Sequence, residues 1–214
     1  MINNEDQNQL FKLIANYIEK DISCIAIGGT AMIFLGYKNA TKDIDLVFNN
    51  EKERNVFVKA IEKLGYKEKS LIGIYDKKRQ ENKYKLKIYS RGEERFDLFV
   101  KSVFGFEIEL NNNFTQRNDF IEKKELNIYV IPEEYLILLK SLTSREKDFE
   151  DIQNIIKKKQ DIDWNLIIDE AIKQKNSNSW ILIDLEETMQ KLNKIIFIKK
   201  KYFNKIYEAQ EQKY

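Results

Sequence analysis

The chain has 214 residues, 43% hydrophobic and 34% charged, enough to bury a real core as one mixed domain or two small ones. Its 37 basic and 35 acidic side chains nearly cancel, so no global field declares a polyanionic partner. Histidine is absent, which excludes Ser-His-Asp triads, Cys-His pairs and imidazole metal sites and leaves carboxylates, lysines, tyrosines or oxygen-held metals for any catalysis.

Leu10, Leu13, Ile14, Tyr17 and Ile18 recur at helical spacing and predict an amphipathic helix over about residues 6–20. Ile22 to Ile27 is an apolar run stopped by two glycines, which reads as a buried strand entering a turn, and its Cys24 reads as a core thiol. Thr30 to Leu35 follows as a short buried helix closed by Gly36, then residues 44–48 as a strand and 51–64 as a helix stopped by Gly65. Strands are expected at 71–75, 83–89 and 95–100, the last two joined as a hairpin around Ser90-Arg91-Gly92, with a final strand at 127–131. Pro132 stands where a helix begins, with Glu133 and Glu134 in its first turn. Helices at 132–142, 145–159, 163–175 and 180–212 complete the chain, the last broken internally, with Asp163 and Ser179 as N-caps.

The order predicts an α+β chain: residues 1–131 form a mixed β-sheet flanked by helices, and residues 132–214 form an α-helical C-terminal domain packed against it, with a cleft between them as the default ligand site. One cysteine excludes an internal disulfide and suits an intracellular home. With no 18-residue apolar run and a polar start, the expectation is a soluble, cytoplasmic protein with no membrane partner.

Chemistry concentrates in two places. In Asp43-Ile44-Asp45-Leu46-Val47-Phe48, the strand period of two puts both carboxylates on one face. Asp is depleted in strands, and unpaired carboxylates at a partly buried one are costly, so a divalent cation would relieve them. Oxygen-only ligands suit Mg²⁺ or Mn²⁺ held together with nucleotide phosphates, and Asp97 in Arg95-Phe96-Asp97-Leu98 is the third acid of choice. Upstream, Gly28-Gly29-Thr30 joins a strand end to a helix, a turn with exposed N–H groups and a hydroxyl suited to polyphosphate.

Together, Ile27-Gly28-Gly29-Thr30 and Thr41-Lys42-Asp43-Ile44-Asp45-Leu46 resemble the signature of the DNA polymerase β-type nucleotidyltransferase superfamily. Leu138 to Leu142 and the segment Ser144-Arg145-Glu146-Lys147-Asp148-Phe149-Glu150-Asp151-Ile152 resemble the lysine and arginine/aspartate helices of its AbiEii-like branch, which includes toxins of toxin–antitoxin systems. The resemblance implies the nucleotidyltransferase fold followed by a helical region. It implies metal on Asp43 and Asp45, and triphosphate contacts from Gly28, Gly29 and Thr30, with Lys42 inside the same motif. Lys140 would reach nucleotide phosphates from the helical half, and Arg145, Asp148 and Asp151 carry over with it.

Read from the residues alone, Lys140 is equally a surface lysine of an amphipathic helix. Arg145 with Asp148, and Lys147 with Asp151, are equally intrahelical pairs. The expected reaction moves an NMP from an NTP to an acceptor hydroxyl with release of pyrophosphate, through metal on Asp43, Asp45 and Asp97 and charge offset by Lys140. The acceptor is expected to be tRNA or another RNA, with an antitoxin as a further partner. From Lys191 to Tyr214 there are seven lysines against two glutamates, with Phe197, Tyr202 and Phe203 among them: a phosphate and base contact, or a solvated helix face over core aromatics. A small-molecule adenylyltransferase, a protein-modifying transferase and a catalytically silent nucleotide- or RNA-binding module are the alternatives.

Overall fold

A computed structural model describes residues 1–69, 86–111, 114–117, 120, 124–143 and 145–211. Strand β1 (Ile2–Asn3) leads into α1 (Asn4–Ala15) through a capping box: Asn3 Oδ1 accepts the Asp6 N–H at 2.9 Å, and the Asp6 carboxylate accepts the Asn3 N–H at 3.0 Å. The helix stops five residues short of the expected end because Asn16 turns its side-chain amide back onto the Lys12 carbonyl at 3.2 Å.

The elements then run β2 (Ile22–Ala26), α2 (Gly28–Phe34), β3 (Ala40–Thr41), β4 (Asp43–Phe48), α3 (Glu51–Lys63) and β5 (Lys67–Lys69). They continue as β6 (Lys87–Arg91), β7 (Glu94–Val100), β8 (Ser102–Val103), β9 (Phe106–Glu107), β10 (Thr115–Arg117) and β11 (Leu126–Val130). The strand expected at 71–75, and the first residues of the one expected at 83–89, lie outside the described residues. Helices α4 (Glu133–Ser141), α5 (Glu146–Lys158), α6 (Trp164–Gln174), α7 (Ile181–Leu192) and α8 (Lys200–Glu211) follow.

The chain divides into two compact units, Met1–Val103 with Ile108–Ile131, and Phe104–Glu107 with the residues from Pro132 onward. In the first, seven strands form one mixed sheet in the order β10-β11-β2-β4-β7-β6-β5. β11 pairs β2 and β4 pairs β7 in parallel, while β2 and β4 are antiparallel. This is a mixed sheet with flanking helices, followed by helices, the α+β order expected from the sequence.

Alternation gives the two central strands two different faces. Ile44, Leu46 and Phe48 of β4 and Phe96, Leu98 and Val100 of β7 are buried in one core with Phe11 and Ile14 of α1 and Phe57 and Ile61 of α3. Phe57 stands 5.4 Å from Phe48 and 5.6 Å from Phe96, centroid to centroid, so α3 is fastened by aromatic edges as well as by area. Each of these side chains contributes about 1.5–3 kcal/mol by burial, which fixes the register of β4 and β7 and forces their odd-numbered residues to the opposite face.

In the second unit, Pro132 caps α4 and Asp163 caps α6, its carboxylate accepting from the Asn165 and Leu166 amides. Ser179 does not cap α7. That place falls to Trp180, whose N–H is taken by the Asn178 side chain at 3.0 Å. The long final helix breaks where Asn193 ends α7 and accepts the Ile198 N–H at 2.9 Å, a side-chain bond that closes the connecting turn before α8.

Candidate active site

Parallel pairing of β4 with β7 sets Asp43 opposite Arg95 and Asp45 opposite Asp97. In register on adjacent parallel strands, these four side chains share the face opposite Phe48, Phe57 and Phe96, with Val47 and Phe99 buried further along it. Asp43 and Asp45 are half-buried, while Asp97 is only 5% exposed.

The glycine turn is built against this face. A Cβ on Gly28 would lie 2.6 Å from Asp45 Oδ2, and one on Gly29 would lie 2.4 Å from Thr41 Oγ1, so a larger residue at either position must displace the side chain it meets. Gly28 also has φ +53°, where any side chain is strained. Asp45 is held by its backbone from both sides of the turn: its carbonyl accepts the Ile27 N–H at 3.2 Å, and its N–H donates to Thr30 Oγ1 at 2.9 Å.

Thr30 is fully buried and its oxygen accepts the Asp45 amide, so its side chain fixes the backbone of a strand carboxylate. The N–H groups of the first turn of α2 have no partner within the helix, and they remain the donors this turn can offer to an anion.

Arg95 is the residue that sequence reasoning passed over. Its Nε lies 2.7 Å from Asp97 Oδ1 and its Nη2 2.5 Å from Asp97 Oδ2, a two-pronged pair, and Nε is also 3.6 Å from Asp43 Oδ1. The hydrogen bond with Asp97 raises the guanidinium above its ordinary pKa against the effect of burial, and the fields of Asp97, Asp43 and Asp45 add to it. The signal was available: Arg95 stands two residues before Asp97 on a strand and therefore on its face.

The donors are carboxylate oxygens without nitrogen or sulfur, the chemistry of a hard divalent cation. Among the described residues no group of three ligating side chains is close-set enough to grip an ion unaided. Arg95 bridges two of the three acids instead. Beside Asp43 and Arg95 opens a cavity of about 970 Å³, lined also by Gln9, Leu13, Lys42 and Arg91. Lys42 is exposed there.

In the second unit, the sequence-predicted residues meet one another. Lys140 is 8% exposed, and its Nζ donates to Asp148 Oδ1 at 2.9 Å and to Asp151 Oδ2 at 2.8 Å. Asp151 thus receives Lys140 rather than Lys147, and Lys140 is no surface lysine. Thr143 Oγ1 donates to Asp148 Oδ2 at 2.5 Å, and Arg145, at the N-cap of α5, reaches the same oxygen at 2.6 Å. Burial pushes the Asp148 carboxyl up, but Lys140, Thr143 and Arg145 outweigh it and hold it below its ordinary value.

The mixed sheet thus carries two acids of one strand beside a third acid on the next, with a Gly-Gly turn against them. Residues 6–205 match the family described as nucleotidyltransferase of unknown function (DUF6036), and the chain belongs to it. Its structure is similar to that of ANT(2")-Ia in complex with adenylyl-2"-tobramycin, at 16% identity and a TM-score of 0.46, covering 71% of this chain and 88% of that one. No curated protein matches the chain. Among the described residues no helix is long and apolar enough to cross a membrane.

The tight turn yields a direct test. Gly28→Ala adds a Cβ that must push Asp45 Oδ2 aside and sits at a strained φ, so it is expected to destabilise the protein by about 1–3 kcal/mol. Displacing the carboxylate should also lower transfer by about 10²-fold. Thermal melting and a transfer assay on the same preparation measure both.

Proposed function

We propose that this nucleotidyltransferase moves an NMP from an NTP to an acceptor hydroxyl with release of pyrophosphate, that it uses Mg²⁺ or Mn²⁺, and that the acceptor is tRNA or another RNA. The observation that carries the reading of the site is the in-register placement of Asp45 beside Asp97, with Asp43 on the same face and Gly28 against Asp45. When bound, a divalent ion on these carboxylates supplies Lewis-acid stabilisation of charge at the α-phosphate.

The chain's own residues do the rest. The first-turn N–H groups of α2 orient phosphate oxygens, Thr30 and Ile27 fix the Asp45 backbone, and Asp97 assists deprotonation of the attacking hydroxyl. Lys140 is assigned a positioning role, because its ammonium holds Asp148 and Asp151 and so ties α4 to α5.

An RNA acceptor is supported by the end of the chain. Lys191, Lys194, Lys199, Lys200 and Lys201 are exposed, Phe197 among them is 86% exposed, and Lys201 lies 5.0 Å from the centre of the Tyr202 ring. Lys205 is not part of this set, because it pairs with Asp169 at 2.6 Å. A toxin restrained by an antitoxin is the biological setting that goes with this acceptor. The second reading, a small hydroxylated acceptor, is favoured by the cavity beside Asp43, whose volume suits a compact ligand.

Incubation with Mg²⁺, each labelled NTP in turn, and total RNA, a protein extract or a set of small hydroxylated compounds separates these readings. Label in RNA, with binding that weakens steeply as salt is raised, is the expected result. Label confined to small compounds would replace the acceptor and keep the reaction, and label in none would overturn the reaction.

A further inference from the structure

We infer that Arg95 is an exchangeable internal cation of the active-site face: without a divalent ion its guanidinium holds Asp97 and Asp43, and an ion binds Asp97 only when Arg95 lets go. The inference rests on the metal-dependent reading proposed above. Both oxygens of Asp97 are taken, one by Nε and one by Nη2 of Arg95, in the fork geometry that fixes a carboxylate most firmly. An ion approaching Asp97 therefore meets a positive charge at the oxygens it needs, and the two occupants exclude each other.

The exchange has a physical purpose. Asp97 is 5% exposed, and a carboxylate that buried is costly when uncompensated, so some cation must stay on it through every turnover. The partner with room to leave is Arg95, whose side chain is 36% exposed and which lines the 970 Å³ cavity, whereas Asp97 is enclosed by the sheet. A metal–triphosphate complex supplies both halves of the exchange, an ion for the carboxylates and phosphate oxygens for the displaced guanidinium. Free metal supplies one half only. Metal and nucleotide should thus bind with mutual enhancement, each raising the affinity for the other by the same factor.

The test uses the full chain with Mn²⁺ as probe, followed by its electron paramagnetic resonance without nucleotide, and thermal melting in EDTA and in Mg²⁺. Arg95→Met is expected to bind Mn²⁺ tighter than wild type by about tenfold or more, since a positive charge within hydrogen-bonding distance of a ligand oxygen is gone. It should melt below wild type in EDTA and recover in Mg²⁺, while wild type shows little response to the ion. Arg95→Lys, which keeps the charge and loses the fork, should fall between the two and serves if the methionine variant does not fold. Adding Asp97→Asn to Arg95→Met should remove the gained affinity.

Equal Mn²⁺ affinity in wild type and Arg95→Met, in both dependent on Asp97, would overturn the exchange and leave metal-dependent transfer standing. A melting loss in Arg95→Met that Mg²⁺ does not repair, with unchanged Mn²⁺ binding, would make Arg95 a structural pair and overturn the exchange as well. No Mn²⁺ bound by either protein, with or without a triphosphate, would overturn the exchange together with the metal-dependent reading beneath it.

Discussion

Asparagine in place of Asp45 is expected to lower nucleotidyl transfer by about 10³-fold or more, the equivalent of roughly 4 kcal/mol of transition-state stabilisation, with the fold intact. Asp45 faces away from the apolar core, and its backbone bonds to Ile27 and Thr30 do not involve the carboxylate, so the amide keeps them. What is lost is one negative charge from a face carrying Asp43, Asp45 and Asp97. Asparagine has the shape of aspartate and keeps the backbone bonds, so melting in EDTA should change little beside the loss of turnover. Turnover measured beside melting checks the pair of outcomes. Wild-type turnover in a folded Asp45→Asn protein would end the assignment of this face as the active site.

Lys140→Met is expected to destabilise the helical unit by about 3–5 kcal/mol, the cost of taking the buried partner out of an enclosed ion pair. Methionine replaces the aliphatic stem of lysine well, so the loss is one of charge rather than of volume. Arg145 still pairs with Asp148, but at 70% exposure it is a weak substitute, and Asp151 loses the Lys140 ammonium altogether. Denaturant unfolding at neutral pH gives the magnitude, and pH gives the mechanism.

In wild type Asp148 is held below its ordinary value, so its contribution is complete above the unfolded carboxylate range near about 3.9 and disappears as the pH falls through the lower folded value. In the variant Asp148 keeps Thr143 and Arg145 but has lost its buried cation, so its hold on the ionised form is weaker. The stability gap between the two proteins should therefore narrow as the pH is lowered towards that range. A gap that stays constant with pH would show that Lys140 acts through packing.

Several of the features that position this site were legible because they are local. The strand period places Asp43 with Asp45 whatever the sheet around them, and two glycines after an apolar run mark a turn whatever it faces. The bounds of α3 and the cap at Asp163 follow from side chains bonding to backbone within a few residues, and the α+β order follows from counting such segments. The register of Asp45 with Asp97 is a different kind of fact. The two acids are 52 positions apart, and parallel pairing is set by the core side chains on the other face of the sheet, not by anything near either acid.

The same distinction explains the rest. Thr30 has a hydroxyl that local pattern offers to a phosphate, and only the fold brings the Asp45 amide to it. Lys147 and Asp151 have helical spacing, yet Asp151 goes to Lys140 because α4 packs on α5 and a buried carboxylate takes the ammonium that is enclosed with it. The sequence by itself determined the class of the fold and which residue types could do the chemistry, since periodicity, turn residues and the absence of histidine act over a few positions or over the whole composition. Only the tertiary structure decided which charge meets which, including Arg95 on Asp97 and Lys140 on its two aspartates, because hydrogen bonds and buried charges are settled by distance in space and not by spacing along the chain.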